Sequence, residues 1–147
     1  MKLLILAGKH SNGKTSTLKI LTKKFKNADI YALDGKGNII GYALKQVPKR
    51  GDFIAKIYFE GMIIGIVSKG DKDTLIGPSF NSLFSILSKD EKFDCIVCAI
   101  RNYEKQTFDI IEVIISVIKK FTQKIKYISN YVNIIQKTVG NHNVGSM

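Results

Sequence analysis

The sequence predicts an α/β protein in which a mainly parallel β-sheet carries helices on both faces. Two apolar runs, at 2–7 and 93–100, are nearly continuous, which is typical of parallel strands covered on both sides. Segments with apolar residues at helical spacing follow both runs, so that strand and helix patterns alternate along the chain. The 147 residues contain neither an internal repeat nor a linker, and they therefore predict one domain over 1–147.

The first elements are predicted to be a strand at 2–7, a helix at 14–26 and a second strand at 28–33. In the helix, Leu18, Leu21 and Phe25 recur on one face, whereas most of the lysines fall outside that face. The second strand ends at a glycine-rich turn, which is a common way for a strand to leave a sheet.

An antiparallel β-meander is predicted as an insertion around residues 38–67. Extended segments at 39–47 and 52–61 flank the turn PKRG, and a third apolar segment follows them. Side chains of the second segment alternate between an apolar and a polar face, as in a strand with one solvated side. We expect Lys49 and Arg50, in the turn, to project into solvent.

The second half of the chain continues the alternation. Pro78 stands where the first residue of a helix is expected, before an apolar stripe that includes Phe80 and Leu83. Cys95 and Cys98 have no second pair of ligands nearby and point to opposite faces of a strand, so we expect core packing instead of metal binding. The last predicted elements are a helix at 109–121, an outer strand at 124–129 and a short helix at 131–137.

The net charge of +11 favours anionic partners such as nucleic acid or phosphorylated ligands. Only Arg50 and Arg101 are arginines, however, and a lysine-rich bias of the whole chain gives the same surplus without a nucleic-acid surface. A nucleic-acid or protein partner is therefore an open alternative. No apolar run reaches the roughly 18 residues of a bilayer span, and the opening run is too short for a secretory signal. We expect a cytoplasmic protein without membrane association.

The segment GKHSNGKT, from Gly8 to Thr15, carries the most specific functional signal in the sequence. It lies between the first predicted strand and helix, where its glycines allow successive backbone N–H groups to point at one anion. The N-terminus of the following helix adds partial positive charge beneath that anion. The spacing GxxxxGK[ST] in this context predicts a phosphate-binding loop instead of an ordinary glycine turn.

Through this Walker A motif the chain resembles the P-loop NTPase superfamily. The resemblance covers roughly residues 2–22 and implies that the protein binds ATP or GTP together with Mg²⁺. It implies that Lys14, as a catalytic residue, contacts the β- and γ-phosphates and that the Thr15 hydroxyl ligates Mg²⁺. ATP is favoured because the sequence has no NKxD pattern for guanine recognition. The residues expected at the nucleotide are Gly8, Lys9, His10, Ser11, Asn12, Gly13, Lys14, Thr15 and Ser16.

An acidic residue is expected to complete the Mg²⁺ site where a parallel strand ends, because phosphates bind beyond the carboxyl ends of such strands. Asp71 and Asp34 both close predicted strands, whereas Asp94 opens one and lies at the other edge. Asp71 is favoured as the metal ligand, with Ser68 beside it, and a polar turn is the equal alternative. Arg101 directly follows the second apolar run and is predicted to stabilise the transferred phosphoryl group; a surface ion pair is its alternative.

These residues predict Mg²⁺-dependent binding of a nucleoside triphosphate by a small kinase-like phosphotransferase or an NTPase. The compact single domain favours a phosphotransferase with a small-molecule acceptor, although the sequence contains no arginine-rich lid. The alternative is a nucleotide-dependent regulator or switch that binds a protein or nucleic-acid partner and turns over little nucleotide. The sequence names neither the acceptor nor the partner.

Overall fold

The computed structural model describes residues 1–8, 14–68, 73–101 and 107–122. These residues form six strands and three helices. The strands are β1 (Lys2–Gly8), β2 (Ala28–Leu33), β3 (Ile39–Leu44), β4 (Phe53–Phe59), β5 (Met62–Val67) and β6 (Cys95–Arg101). The helices are α1 (Lys14–Lys23), α2 (Asp73–Ser85) and α3 (Thr107–Lys119). The strand predicted at 124–129 and the helix predicted at 131–137 lie outside the described residues.

The strands form one mixed sheet in the order β1-β6-β5-β4-β2-β3. β1, β6 and β5 are parallel to one another, whereas β5–β4, β4–β2 and β2–β3 are antiparallel pairs. The predicted fold class, a mainly parallel sheet with helices on both faces, is therefore wrong. The middle of the chain folds back through short connections, and antiparallel pairs form when a strand returns without a crossover helix.

The insertion around residues 38–67 is not a meander either. β4 pairs with β2 and not with β3, so β2 lies between the two strands that follow it in sequence. The PKRG turn belongs to a segment, residues 45–52, that passes over β2 before β4 begins. Val47 of this segment is buried in the same hydrophobic cluster as Leu18 of α1. The sequence predicts a local turn between two paired strands. The structure instead has a longer connection, and the burial of Val47 holds it against the sheet.

Two hydrophobic clusters cover opposite faces of the sheet, because neighbouring residues of each strand divide between them. The first cluster includes Leu3 and Ile96 and receives side chains from both α2 and α3. The second cluster includes Phe53 and Val97 and receives Leu18 from α1. Each fully buried aliphatic or aromatic side chain contributes about 1.5–3 kcal/mol, so these two clusters position the helices relative to the strands.

Helix α2 begins five residues before the predicted start at Pro78. Pro78 lies inside the helix, where it cannot donate the backbone hydrogen bond to the preceding turn, at a cost of about 3 kcal/mol. Ile76, in the turn before it, is fully buried in the first cluster. Burial of Ile76 offsets much of that cost and extends the helix upstream of the proline.

Both cysteines are free, and Cys98 is buried in the first cluster, as the sequence predicts. Cys95 instead packs against the second cluster, so the two side chains lie on opposite faces of β6. Burial raises the pKa of both thiols, which keeps them protonated and unreactive. Among the described helices, none has the length and apolar character needed to cross a membrane.

A buried lysine joins the middle of the sheet to the loop that precedes β6. Lys56 of β4 is buried, and its Nζ donates hydrogen bonds to Glu91 Oε1 at 2.8 Å and to the carbonyl oxygen of Ile86 at 2.9 Å. Tyr58 Oη donates to the other carboxylate oxygen of Glu91 at 2.5 Å, and the Ser88 N–H donates to Oε1 at 2.8 Å. Lys56 and Glu91 therefore form an ion pair with satisfied hydrogen bonds, and the Asp29 carboxylate lies 3.8 Å from the same Nζ.

The electrostatics of this pair favour its charged form. Hydrogen bonds from Lys56, then Tyr58, then the Ser88 backbone lower the pKa of Glu91 to about 2. Burial alone lowers the pKa of Lys56, but the contacts with Glu91 and Tyr58 outweigh it, and the pKa is raised. Both groups thus remain ionised throughout the neutral range.

Replacing Glu91 by Gln should lower Tm by roughly 5 °C at neutral pH, because Lys56 then loses its nearer charged partner and keeps only the half-exposed Asp29 carboxylate at 3.8 Å. The folded pKa of Glu91, about 2, lies below its ordinary value of 4.5. Its stabilising effect is therefore complete above the ordinary value and is lost as the pH falls toward the folded value. Thermal unfolding at neutral pH and at about pH 3 should show the difference between Glu91→Gln and wild type shrinking in acid.

The control for this experiment is Asp90→Asn, which removes the exposed neighbouring carboxylate and should leave Tm unchanged. Equal Tm values for Glu91→Gln and wild type at neutral pH would show that the ion pair does not stabilise the fold.

Candidate functional site

Three neighbouring parallel strands bring their carboxyl ends to one edge of the sheet, here called the carboxyl edge. β1 pairs with β6 from Lys2 opposite Cys95 to Gly8 opposite Arg101. β5 pairs with the other side of β6, and its last residue, Val67, lies opposite Cys98. Gly8 and Arg101, which the sequence predicts as site residues, are therefore direct neighbours at the carboxyl edge. The side chain of Arg101 lies outside the described residues.

The connections after β1 and β6 leave the sheet on opposite faces. β1 leads to α1, whose Leu18 lies in the second cluster, whereas β6 leads to α3, whose Ile114 lies in the first. In sheets with parallel strands, two adjacent strands whose connections diverge in this way leave a crevice between their carboxyl ends, where ligands bind. The crevice between Gly8 and Arg101 is thus a candidate binding site on grounds of topology alone.

The Walker A segment connects β1 to α1. β1 ends at Gly8 and α1 begins at Lys14, and the residues between them, 9–13, lie outside the described part of the chain, as does the side chain of Lys14. The first turn of α1 contains no acidic residue; Thr15 is partly exposed and Ser16 is exposed. The N-terminal N–H groups and the positive dipole end of a helix suit a phosphate group. Among the predicted nucleotide residues, Lys9, His10, Ser11, Asn12 and Gly13 therefore remain undescribed.

Two of the three acidic candidates for the metal are placed away from the crevice. Asp94 lies at the opposite edge, where its Oδ2 accepts a hydrogen bond from the Ile63 N–H at 2.8 Å. Asp34 follows β2, four inter-strand spacings from β1, which corresponds to about 19 Å. Asp71, the favoured candidate, follows β5, only two spacings from β1, and itself lies outside the described residues.

The Asp34 carboxylate has a local structural role. Its Oδ1 accepts hydrogen bonds from the backbone N–H groups of Asn38 at 2.9 Å and Lys36 at 2.8 Å, which closes the turn between β2 and β3. These bonds, first that from Asn38 and then that from Lys36, lower the pKa of Asp34. The aspartate that ends this strand thus stabilises a turn instead of approaching a metal.

Ser68, predicted as a second polar ligand beside Asp71, is also used within the fold. It is buried, its Oγ accepts a hydrogen bond from the Phe53 N–H at 2.8 Å, and it lies 3.1 Å from Asp52 Oδ1 as a donor. The Ser68 N–H donates in turn to the Phe53 carbonyl oxygen at 3.0 Å. These bonds attach the start of β4 to the end of β5 at the carboxyl edge. Local sequence gave no signal for this contact, because the partners are 15 and 16 residues apart.

One cavity in the described part of the chain lies away from the crevice. It has a volume of about 520 Å³ and lies at the opposite edge of the sheet, between Met1, Phe84, Phe93 and Phe121. Phe84 and Phe121 stack with ring centroids 4.3 Å apart along its wall. Its described lining includes none of the predicted site residues.

The chain matches no protein-family model, no curated protein and no solved structure. Within the described ranges, no group of three or more His, Cys, Asp or Glu side chains is arranged to hold a metal ion. A magnesium ion bound with a nucleotide needs only one or two protein ligands, because the phosphates supply others. The residues of the carboxyl edge therefore carry the functional interpretation.

Replacing Ser68 by Ala should lower the free energy of unfolding by about 1–2 kcal/mol, because the buried Phe53 N–H loses its acceptor. Urea denaturation followed by circular dichroism measures this change. Ser85→Ala is the matched control, since the exposed Ser85 hydroxyl bonds only to Ser82 in its own helix. A Ser68→Ala protein as stable as wild type would contradict the structural role of this hydroxyl.

Proposed function

We propose that the protein binds a Mg²⁺–nucleoside triphosphate, ATP in preference to GTP, at the crevice between β1 and β6 and transfers or hydrolyses its γ-phosphate. One observation carries this proposal: the GxxxxGK[ST] segment starts at the carboxyl end of β1 and ends in the first turn of α1, beside the point where the connections diverge. Motif and topology are independent, and both favour the same edge of the sheet.

The proposal gives each residue a distinct physical role. Backbone N–H groups from Gly8 to the first turn of α1 surround the β-phosphate, and the helix dipole adds attraction for its charge. The Lys14 ammonium contacts the β- and γ-phosphates. In the proposal, Arg101 stabilises negative charge on the transferred phosphoryl group, and its strand pairing with Gly8 supports this role.

Magnesium fits this donor set. The Thr15 hydroxyl in the first turn of α1 and the Asp71 carboxylate after β5 are the protein ligands in the proposal, and phosphate oxygens complete the shell. When bound, the ion neutralises phosphate charge and orients the γ-phosphate. We also propose a cytoplasmic location, as the sequence predicts. The two free cysteines are compatible with it.

The phosphotransferase is favoured over a regulator with little turnover. An arginine at the end of the strand next to the P-loop strand is the type of group that stabilises a transferred phosphoryl group, and a switch has less need of it. Release of ADP from Mg-ATP, with and without candidate acceptors, separates transfer from simple hydrolysis and from binding alone.

Replacing Lys14 by Ala should weaken Mg-ATP binding on the order of 100-fold, since charge-assisted hydrogen bonds to the phosphates are lost. Titration calorimetry with a non-hydrolysable ATP analogue measures the affinity. Lys23→Ala removes the same charge from the last turn of the same helix and should bind like wild type. Unchanged affinity in Lys14→Ala would remove the phosphate-binding role from this segment.

Replacing Asp71 by Asn should weaken nucleotide binding about 10-fold when Mg²⁺ is present and have little effect when EDTA removes it. Asp34→Asn is the control, because Asp34 lies about 19 Å from β1 and closes a turn. Calorimetric titrations with and without the metal compare the two variants. An equal loss for Asp71→Asn in both conditions would exclude Asp71 from the metal site.

A further inference from the structure

The second arginine of the chain also lies near the carboxyl edge. β4 runs antiparallel to β5, so its first residue, Phe53, lies beside Ser68 at the end of β5. The carbonyl oxygen of Asp52 accepts a hydrogen bond at 2.9 Å from the N–H of Leu33, the last residue of β2. Arg50 precedes Asp52 by two residues and therefore lies near the carboxyl edge as well. Arg50 is exposed, as predicted, but it belongs to the segment 45–52 that passes over β2 and not to the tip of a hairpin.

Arg50 is held on the side of the sheet that carries α1. Lys19 Nζ donates a hydrogen bond at 3.0 Å to the carbonyl oxygen of Lys49, the residue before Arg50. Val47, three residues earlier, is buried in the cluster that contains Leu18 of α1. Lys19 lies five residues after Lys14, which is about 7.5 Å along the helix axis. The segment 45–52 thus runs beside the helix whose first turn faces the proposed triphosphate.

The Arg50 guanidinium is available for a ligand. Its side chain is exposed, and within the described ranges it takes part in no ion pair. Gly51, which follows it, adopts a φ of +84°, a conformation that favours glycine and defines the turn that presents Arg50. The ammonium of Lys19 is bonded to the Lys49 carbonyl, whereas the Arg50 side chain beside it is exposed.

Arg50 lies too far along the edge to be part of the proposed triphosphate site. β4 lies three inter-strand spacings from β1, about 14 Å, and the segment approaches α1 from that side. In the proposed site, backbone N–H groups surround phosphates at the end of β1 and the start of α1. An arginine farther along the edge is better placed for a molecule bound next to the nucleotide. The planar guanidinium matches phosphate and carboxylate groups with two hydrogen bonds.

We propose that Arg50 binds a phosphate or carboxylate group on the molecule that accepts the γ-phosphoryl group, so that the substrate is an anionic small molecule with a free hydroxyl. This proposal rests on the proposed function. In the transfer, the acceptor hydroxyl oxygen forms a bond to the γ-phosphorus, and the bond from that phosphorus to the oxygen of ADP breaks. The hydroxyl proton passes to solvent, and ADP leaves with the electron pair of the broken bond.

Release of ADP from Mg-ATP tests the proposal with two matched panels of acceptors. One panel contains nucleoside monophosphates, sugar phosphates and hydroxy acids; the other contains the corresponding nucleosides, free sugars and hydroxy amides. Members of the anionic panel alone should stimulate ADP release in the wild-type protein. Arg50→Ala should raise KM for the active acceptor about 10- to 100-fold and leave the Kd of the ATP analogue within about twofold. Arg50→Lys should recover part of the loss.

Lys45→Ala is the charge-matched control, because Lys45 is exposed at the other end of the same segment; its KM should equal that of wild type. Equal stimulation by the uncharged panel, or binding of ATP without stimulation by any anionic acceptor, would overturn the proposal and leave the nucleotide site intact. A large loss of ATP affinity in Arg50→Ala would reassign Arg50 to the nucleotide and also overturn it. Failure of the wild-type protein to bind ATP would instead reject the proposed function itself.

Discussion

The parallel pairing of β1 with β6 is the constraint on which the candidate site depends. It aligns Gly8 with Arg101, and it does so between strands whose following helices must pack on different faces of the sheet. A strand in the antiparallel part of the sheet could not serve in the same way, because its neighbour would present an amino end at that edge. The position of the Walker A motif next to this crevice supports its interpretation as a phosphate-binding loop. A glycine-rich turn elsewhere in the sheet would not lie next to such a crevice.

The antiparallel half of the sheet contributes in a different way. Because β4 reverses direction after the segment 45–52, its amino end meets the carboxyl end of β5, and Ser68 fixes the two together. The same reversal carries Arg50 toward the edge that holds the Walker A segment. Lys56, in the middle of β4, bonds to Glu91, so polar contacts that hydrophobic packing alone does not specify fix both the start and the middle of the strand. The departure from a parallel sheet thus brings Arg50 near the edge at which Gly8 and Arg101 pair, which is the basis of the proposed acceptor contact.

Local patterns predicted the elements of this fold better than their arrangement. The strands at β1, β2 and β6 and the start of α1 follow from short apolar runs, helical spacing and turn residues, all of which act over a few positions. Strand order and direction depend on which distant strand offers the best register, and no local pattern in β4 indicates that it pairs with β2. The burial of Lys56 could not be predicted from local patterns either, because its partner Glu91 lies 35 residues away. At the candidate site, Arg101 lies beside Gly8 because both residues end parallel strands, and strand ends can be read from the sequence. The position of Arg50 near the carboxyl edge depends instead on the burial of Val47, which no local pattern indicates.

The central claim is that a nucleotide binds at the carboxyl edge between β1 and β6. Backbone amide chemical shifts of the wild-type protein, recorded by NMR while a Mg²⁺-bound non-hydrolysable ATP analogue is added, test it most directly. The largest shifts should fall on Gly8, Arg101 and the first turn of α1. Shifts concentrated around Phe84 and Phe121, at the cavity of the opposite edge, or no shifts at all, would contradict the account.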